Sequence, residues 1–326
     1  KIQFRSMVYK DDEIVVANGH HKAPFIAGFN CNNAASGWKL DAYFPYQNNS
    51  DRKKFMGHPY GLTWDKKHKW WIFTTQDTSS LFIYDQHGEP VRNLNGMREH
   101  FPGAVFSLVN QTDGIYLDTF IPGIKSFMDE TKHQQKWDLQ SKSSSYGIRG
   151  VAVDIEYGLI FVAIEIFGHI LVYDIDKNFT NTYNITICDD PRECEPISVI
   201  TGDPYFPFTL FITERKNSNG IFAVRYSKTG YNIWWQSERY DGLQHATGIA
   251  VSADSLFVLS QGKHSILRYS PYSGRYLSRV VHFENNDPSN IVSHRGIGKI
   301  GNPVESRTTL GEQLLYIPSG QSCAVM

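Results

Sequence analysis

The sequence predicts an all-β fold and, within that class, a β-propeller of seven four-stranded blades. Three observations support this prediction. A unit of about 45 residues recurs along the chain, and each unit holds short apolar segments separated by turn residues. Aromatic residues, which suit half-buried pleated strands, make up 14% of the chain. Four short strands in each repeat are typical of a propeller blade.

The first strand of a unit is apolar and often begins with glycine, and the second ends in a polar residue. A third apolar strand and a fourth, more polar strand follow across turns rich in Asp, Ser, Asn or Gly. Examples of the four strands in order are GLTWD at 61–65 and GVAVD at 150–154, then WWIFTTQ at 70–76, then ILVYD at 170–174, and then YNIWWQ at 231–236.

First strands are predicted near residues 6, 61, 105, 150, 197, 248 and 296, which gives seven units. Six blades is the alternative, which holds if the unit near 105 or the unit near 296 is not a full blade. The last unit ends inside its third strand, and the N-terminal residues KIQF are predicted to supply its fourth strand. A ring closed in this way has no free sheet edge. No linker divides the chain, so residues 1–326 are predicted to form a single domain.

The charge balance gives no reason to expect attraction to a phosphate backbone or an anionic membrane. The 32 Lys and Arg residues balance 33 Asp and Glu residues, for a net charge of -1. We therefore expect no nucleic acid partner and no attraction to an anionic membrane. The longest apolar stretch, 157–173, is interrupted by Glu165 and His169 and is short for a bilayer span, so membrane insertion is not expected either. The sequence does not indicate an oligomeric state.

Sequons and cysteines predict a secreted, extracellular glycoprotein. Asn-x-Ser/Thr sequons occur at Asn48, Asn110, Asn178 and Asn184, each at a predicted turn or strand edge. Cys188 and Cys194 have the spacing of a small disulfide loop. Cys31 and Cys323 lie near opposite ends of the chain, where a bridge would tie the ring shut.

A candidate site follows from propeller geometry. The loop before each innermost strand and the end of each second strand open on one face and converge on the axis. The candidate catalytic residues precede innermost strands: His58, Tyr60, Tyr146, Arg149, His245, His294 and Arg295. A divalent metal, Ca²⁺ or Zn²⁺, is a possible cofactor, with candidate ligands His58, His245, His294, Glu165, Glu214 and Asp118. A polar residue at a strand end also has a purely structural use, as a hydrogen-bonded tie between blades.

The blade pattern resembles the NHL and SMP-30-like propeller superfamily, most closely in GHPYGLTWD, YGIRGVAVD and QHATGIAVS. Fold alone does not imply function. SMP-30-like lactonases hold a divalent metal through a first-blade Glu motif, and nothing in this chain matches that motif. The peptide-amidating lyases bind zinc through a His before the first strand of three blades. His58, His245 and His294 are similar in placement, but their offsets to the following glycine differ from that pattern.

The sequence favours a carbohydrate-active enzyme, a polysaccharide lyase, and leaves two alternatives open. A polysaccharide lyase would use His or Tyr as the base and Arg149 or Arg295 to neutralise a uronic acid. A non-catalytic propeller would bind a glycan, a protein or another small extracellular ligand on the same face. A metal-dependent lyase or lactonase would use the His and carboxylate set. No serine-hydrolase, nucleotide-binding or dinucleotide-binding motif is present in the sequence.

Overall fold

The computed structural model describes residues 4–10, 13–19, 25–30, 40–42, 59–76, 80–88, 91, 104–107, 109–110, 114–115, 147–165, 168–177, 179–190, 193–216, 220–282, 299–300, 315–316 and 324–325. Strands are numbered in chain order. The first blade comprises β1 (Phe4–Lys10), β2 (Glu13–Asn18), β3 (Phe25–Asn30) and β4 (Leu40–Ala42). The second comprises β5 (Pro59–Asp65), β6 (Trp70–Thr75), β7 (Ser80–Asp85) and β8 (Ala104–Ser107). The short strands β9 (Val109–Asn110) and β10 (Gly114–Ile115) form a separate pair.

Three more antiparallel blades follow. The third comprises β11 (Ile148–Asp154), β12 (Leu159–Ile164), β13 (His169–Asp174) and β14 (Thr180–Thr186). The fourth comprises β15 (Pro196–Gly202), β16 (Phe206–Glu214), β17 (Ile221–Tyr226) and β18 (Tyr231–Gln236). The fifth comprises β19 (Ala246–Val251), β20 (Leu256–Ser260), β21 (Ser265–Tyr269) and β22 (Tyr276–His282), with a 3₁₀ turn at Gln261–Lys263. The remaining strands are β23 (Lys299–Ile300), β24 (Leu315–Tyr316) and β25 (Ala324–Val325).

The all-β class is confirmed, but the predicted count of seven blades, with six as the alternative, is wrong. The described residues form five blades. The strand near residue 105, predicted to open a third unit, pairs through Ser107 with Ser80 of β7 as the last strand of the second blade. The pattern misleads because AVFS has the apolar character of an innermost strand.

The last predicted unit also differs from its sequence pattern. Its first strand appears as β23, which pairs in parallel with β1 of the first blade. Its second and third strands appear as the two-residue pair β24 and β25. The predicted ring closure by KIQF is not seen at Phe4, the one residue of that segment that the structure describes, because Phe4 belongs to β1 and pairs with Asn18 inside the first blade.

The hydrophobic core lies between neighbouring blades. Alternation along β6 shows this directly, since Trp71 and Phe73 pack in a cluster shared with the first blade, while Ile72 packs in one shared with the third. A strand that is buried on both faces reads as a continuous apolar run. The outermost strands β18 and β22 have one neighbour fewer and remain largely exposed.

Close packing of the innermost strands explains why the repeat begins with glycine. A Cβ added at Gly61 would lie 2.6 Å from the Arg149 carbonyl oxygen of the next blade, and one added at Gly150 would lie 2.8 Å from the Val199 amide nitrogen. Both distances are shorter than a van der Waals contact allows. Any side chain at Gly61 or Gly150 would therefore clash with the backbone of the next blade.

A threonine on the second strand of a blade forms hydrogen bonds to two innermost strands, that of its own blade and that of the next blade. Thr213 Oγ1 accepts from the Ser198 amide of its own blade at 3.2 Å and donates to the Thr247 carbonyl of the fifth blade at 3.0 Å. Thr74 makes the equivalent bonds to the Gly61 amide and the Arg149 carbonyl. These links fix the relative positions of neighbouring innermost strands. Within the described ranges, no helix has the length and apolar character needed to cross a membrane.

Candidate functional site

Each innermost strand carries a β-bulge near its start, and these bulges define a ring of equivalent positions. The register breaks between Phe4 and Ser6, Pro59 and Leu62, Ile148 and Val151, Pro196 and Ser198, and Ala246 and Ile249. A bulge turns a side chain away from the regular alternation of the strand. We call the residues at these positions the bulge ring: Arg5, Tyr60, Arg149, Ile197 and Thr247.

Arg149 is the central charged residue of the bulge ring. It is only 9% exposed, and its Nη2 atom forms an ion pair with Glu165 Oε2. Its Nε and Nη1 atoms are buried and have no hydrogen-bond partner among the described residues. Its guanidinium carbon lies 4.8 Å from the centroid of the buried Tyr60 ring, a cation–π distance. The Tyr60 ring therefore packs against the Arg149 guanidinium, and two nitrogens of that guanidinium can still donate hydrogen bonds.

A chain of alternating charges continues from Arg149 into the fourth blade. Glu165, just after β12 and 3% exposed, also forms an ion pair with Arg215 Nη2. Arg215 Nε donates to Glu195 Oε2 at 3.1 Å. Burial lowers the pKa of Arg215, but the carboxylates of Glu165 and Glu195 outweigh this effect and raise it. Arg149, Glu165, Arg215 and Glu195 together form what we call the axial charge chain.

Glu214 has a structural role in this region. Its Oε1 accepts hydrogen bonds from the Glu195 amide at 3.1 Å and from the Lys216 amide. Ser260, the last residue of β20, likewise accepts from the Gln244 amide at 2.9 Å in the fifth blade. Both side chains hold the loop that precedes the innermost strand of their own blade, so they are structural ties within a blade and not the tie between blades that the sequence left open.

His245 lies directly before β19, is exposed and has a positive φ of 50°. Its carbonyl accepts from the Gln261 amide at 3.2 Å, as the Glu195 carbonyl accepts from Arg215. Across the part of the chain that the structure describes, no three His, Cys, Asp or Glu side chains are grouped as a metal site. The other predicted site residues lie outside the described residues: His58, Asp118, Tyr146, His294 and Arg295.

The predicted modification sites are partly described. Cys188 and Cys194 form a disulfide with their Cα atoms 6.2 Å apart, as their spacing predicts. Asn184 lies on β14, is half-buried, and its Oδ1 accepts from Asn181 Nδ2 at 3.1 Å. Asn110 belongs to the short strand β9. Asn48, Asn178, Cys31 and Cys323 lie outside the described residues.

Sequence reasoning identified Arg149, Glu165 and Tyr60 but missed Arg215, Glu195 and Arg5. The miss has a register cause, because Glu165 aligns with Arg215 and not with Glu214. Ile164 pairs with Ile148 as Glu214 pairs with Pro196, so the residue that follows each strand is the equivalent one. An alignment on strand pairs would have revealed the opposite charges of Glu165 and Arg215.

No family model matches the chain, and no curated protein matches it. Solved structures do match. A chain of a nidogen–laminin complex has a TM-score of 0.53 at 10% identity, over 86% of this chain and 80% of that one. A streptogramin B lyase has a TM-score of 0.51 at 12% identity, over 91% and 73%. The Cps50 (Swd1) β-propeller domain of Myceliophteria thermophila has a TM-score of 0.53 at 8% identity, over 91% and 90%.

These neighbours support the β-propeller fold and no more than the fold. Their identities to this chain are far too low to carry a ligand or an activity, and the three are different kinds of protein. They do not single out the NHL and SMP-30-like families, to which the sequence pattern bears a resemblance.

Proposed function

We propose that the bulge ring and the axial charge chain bind a carboxylate-bearing sugar, and that the protein acts as a recognition module for it. One observation carries the proposal. Arg149 is buried, yet its Nε and Nη1 atoms have no acceptor among the described residues. Buried donors are nearly always paired, so a ligand that accepts hydrogen bonds would complete the pairing of these two nitrogens.

The chemistry of Arg149 favours a carboxylate. The planar fork of a guanidinium matches the two oxygens of a carboxylate, and such charge-assisted pairs are stronger than neutral ones. The residue already binds one carboxylate, that of Glu165, through Nη2. The Tyr60 ring behind it restricts its orientation, which reduces the entropy lost on binding.

Polar side chains around the same face suit sugar hydroxyls. Gln244 and His245 are exposed before β19, and Gln76 and Gln261 follow the second strands of their blades with partial exposure. Amide and imidazole groups both donate and accept hydrogen bonds. A uronic acid combines a carboxylate for Arg149 with hydroxyls for these side chains.

The test compares a galacturonate oligosaccharide with its methyl ester in isothermal titration calorimetry. The wild type is expected to bind the acid and to lose affinity for the ester, because esterification removes the charge. Arg149→Met is expected to weaken binding of the acid by about 10–100-fold, the value of a hydrogen-bonded charged group. Arg149→Lys should recover only part of this loss, because lysine lacks the planar fork.

Arg225→Met is the matched control. Arg225 is exposed on β17, where its guanidinium lies 4.2 Å from the Trp234 ring centroid, away from the bulge ring. This variant removes one arginine of the same type and should bind as the wild type does. Equal affinity for the acid and the ester, or an Arg149→Met variant with unchanged affinity, would refute the proposal.

A polysaccharide lyase is the second candidate, and the adjacency of Arg149 and Tyr60 favours it. Elimination removes the proton on the carbon next to the uronate carboxylate. The electron pair then forms a carbon–carbon double bond, and the glycosidic oxygen leaves with a proton. An arginine that neutralises the carboxylate makes that proton more acidic. Ultraviolet absorbance of an unsaturated product in the same incubations separates this activity from binding alone.

We also propose that the protein is a secreted glycoprotein, as its sequons and cysteines suggest. Asn184 lies on β14, the outermost strand of its blade, and is partly exposed. It precedes Cys188 of the disulfide by four residues. Expression in a secretory eukaryotic host should give a protein whose mass falls on treatment with peptide N-glycosidase. Asn184→Gln should reduce that mass difference by one glycan. A mass that the enzyme leaves unchanged would contradict the proposal.

A further inference from the structure

A basic turn joins β5 to β6 at the far end of the second blade's innermost strand. It consists of Lys66, Lys67, His68 and Lys69, and all three lysines are exposed. Tyr60 of the bulge ring lies six residues before Lys66 along β5, which corresponds to about 20 Å of extended chain. The turn is thus separate from the axial charge chain. Clustered lysines of this kind form patches that attract polyanions.

Hydrogen bonds to Asp65 and ring stacking on Trp70 hold the basic turn in a fixed conformation. Asp65 Oδ1 accepts from the Lys67 and His68 amides at 2.9 and 3.1 Å. Asp65 Oδ2 lies 2.6 Å from His68 Nδ1, and the His68 ring stacks on Trp70 with 4.5 Å between the ring centroids. Trp70 in turn lies beside Phe179 of the third blade. The lysines therefore project from a fixed base that presents a flat, partly exposed aromatic surface.

Lys69 has an unfavourable backbone conformation for a lysine. Its φ is 59°, in the left-handed region, and the equivalent residue of the third blade is Gly158 with a φ of 68°. Asp65 and Asp154 align the two turns, since each accepts amide hydrogen bonds from the residues two and three positions on. Glycine adopts this conformation without strain, whereas lysine does not. Strain of this type is often found at functional positions.

We infer that this basic turn binds a sulfated polysaccharide. Three ammonium groups in four residues match the dense, repeated charge of such a chain, and the His68–Trp70 stack offers a face to sugar rings. The third blade carries Ile155 and Glu156 at the positions of Lys66 and Lys67. Of these two equivalent turns, the one in the second blade is therefore the basic one. The net charge of -1 provides no long-range attraction to polyanions in general.

The experiment measures binding of the whole protein to immobilised heparin by surface plasmon resonance over a series of salt concentrations. Lys69→Gly is the diagnostic variant, because it removes one charge while relieving the backbone strain. It is expected to raise Kd by about fivefold, the effect of one lysine beside an anionic surface. It should also lower the slope of log Kd against log salt by about one. Its melting temperature should match or exceed that of the wild type.

The double variant Lys66→Ala/Lys67→Ala is expected to lose most of the wild type's affinity for heparin. Lys228→Ala is the control. Lys228 is exposed in the turn between β17 and β18, at the same end of the blades, and it should not alter binding. Desulfated heparin, duplex DNA and phosphatidylserine vesicles complete the panel, and the wild type should bind each more weakly than heparin. Equal binding to any of these, or a Lys69→Gly variant with unchanged Kd, would overturn the inference.

Discussion

Replacing Glu165 with alanine is expected to lower the free energy of unfolding by about 3–5 kcal/mol, the cost of breaking a buried ion pair from one side. Glu165 is 3% exposed and holds Arg149 and Arg215 at once. Its removal leaves the buried guanidinium of Arg149 without its only hydrogen-bond acceptor among the described residues. Urea denaturation followed by tryptophan fluorescence measures the effect.

Two further variants separate charge from packing at this position. Glu165→Gln keeps the shape and one acceptor oxygen, so it should cost less than Glu165→Ala. The double variant Arg149→Met/Glu165→Leu replaces the pair with apolar groups and should recover much of the loss, because neither charge is left uncompensated. A Glu165→Ala protein as stable as the wild type would show that this carboxylate does not hold the axial charge chain together.

Alkaline pH is expected to destabilise the protein steeply above about pH 10, the pKa of an unperturbed tyrosine. Burial raises the pKa of Tyr173 and Tyr269 in the folded state. Burial also raises the pKa of Tyr226, with a further contribution from Asp154, whose Oδ2 accepts the Tyr226 hydroxyl at 2.9 Å. Below pH 10 these groups are protonated in both states and do not affect the pH dependence.

The sign follows from proton binding in the two states. Above pH 10 the unfolded chain releases the tyrosine protons while the folded protein retains them, so stability falls as pH rises. Each fully buried tyrosine contributes a slope of about 1.4 kcal/mol per pH unit until its folded pKa is reached. Tyr226→Phe should remove one such contribution and flatten the alkaline limb of the curve.

Urea midpoints between about pH 8 and pH 11 for the wild type and Tyr226→Phe provide the measurement. The exposed Tyr231 supplies the matched control, and Tyr231→Phe should leave the slope unchanged. The comparison of slopes isolates tyrosine from lysine, which titrates in the same range. Parallel curves for Tyr226→Phe and the wild type would contradict the buried, protonated state of Tyr226.

The sequence predicted the parts of this fold that local physics determines. Alternation, aromatic content and the glycines at 61 and 150 all reflect contacts within a blade or with the next one. The number of blades depends instead on which neighbouring strand each strand pairs with. The strand at Ala104–Ser107 has no sequence feature that distinguishes pairing with β7 from the start of a new blade.

The candidate site was predictable to a similar extent. Arg149 and Glu165 were identified because both lie at strand ends that propeller geometry brings to one face. Arg215 was missed, since its partner Glu165 is 50 residues away and nothing local marks the pair. A bulge also cannot be read from composition, although it determines which residue of each innermost strand enters the ring.

The bulge ring separates the frame of the molecule from its chemistry. Gly61, Gly150 and the threonine links maintain the backbone crossings, whereas the bulge positions themselves hold arginine, tyrosine, isoleucine and threonine within one ring. The side chains at the bulge positions therefore differ from blade to blade, while the backbone contacts around them stay the same. Ile197 and Thr247 are buried, so substitutions at Arg5 and Arg149 are the ones expected to change the ligand preference while the glycine and threonine contacts keep the strand register.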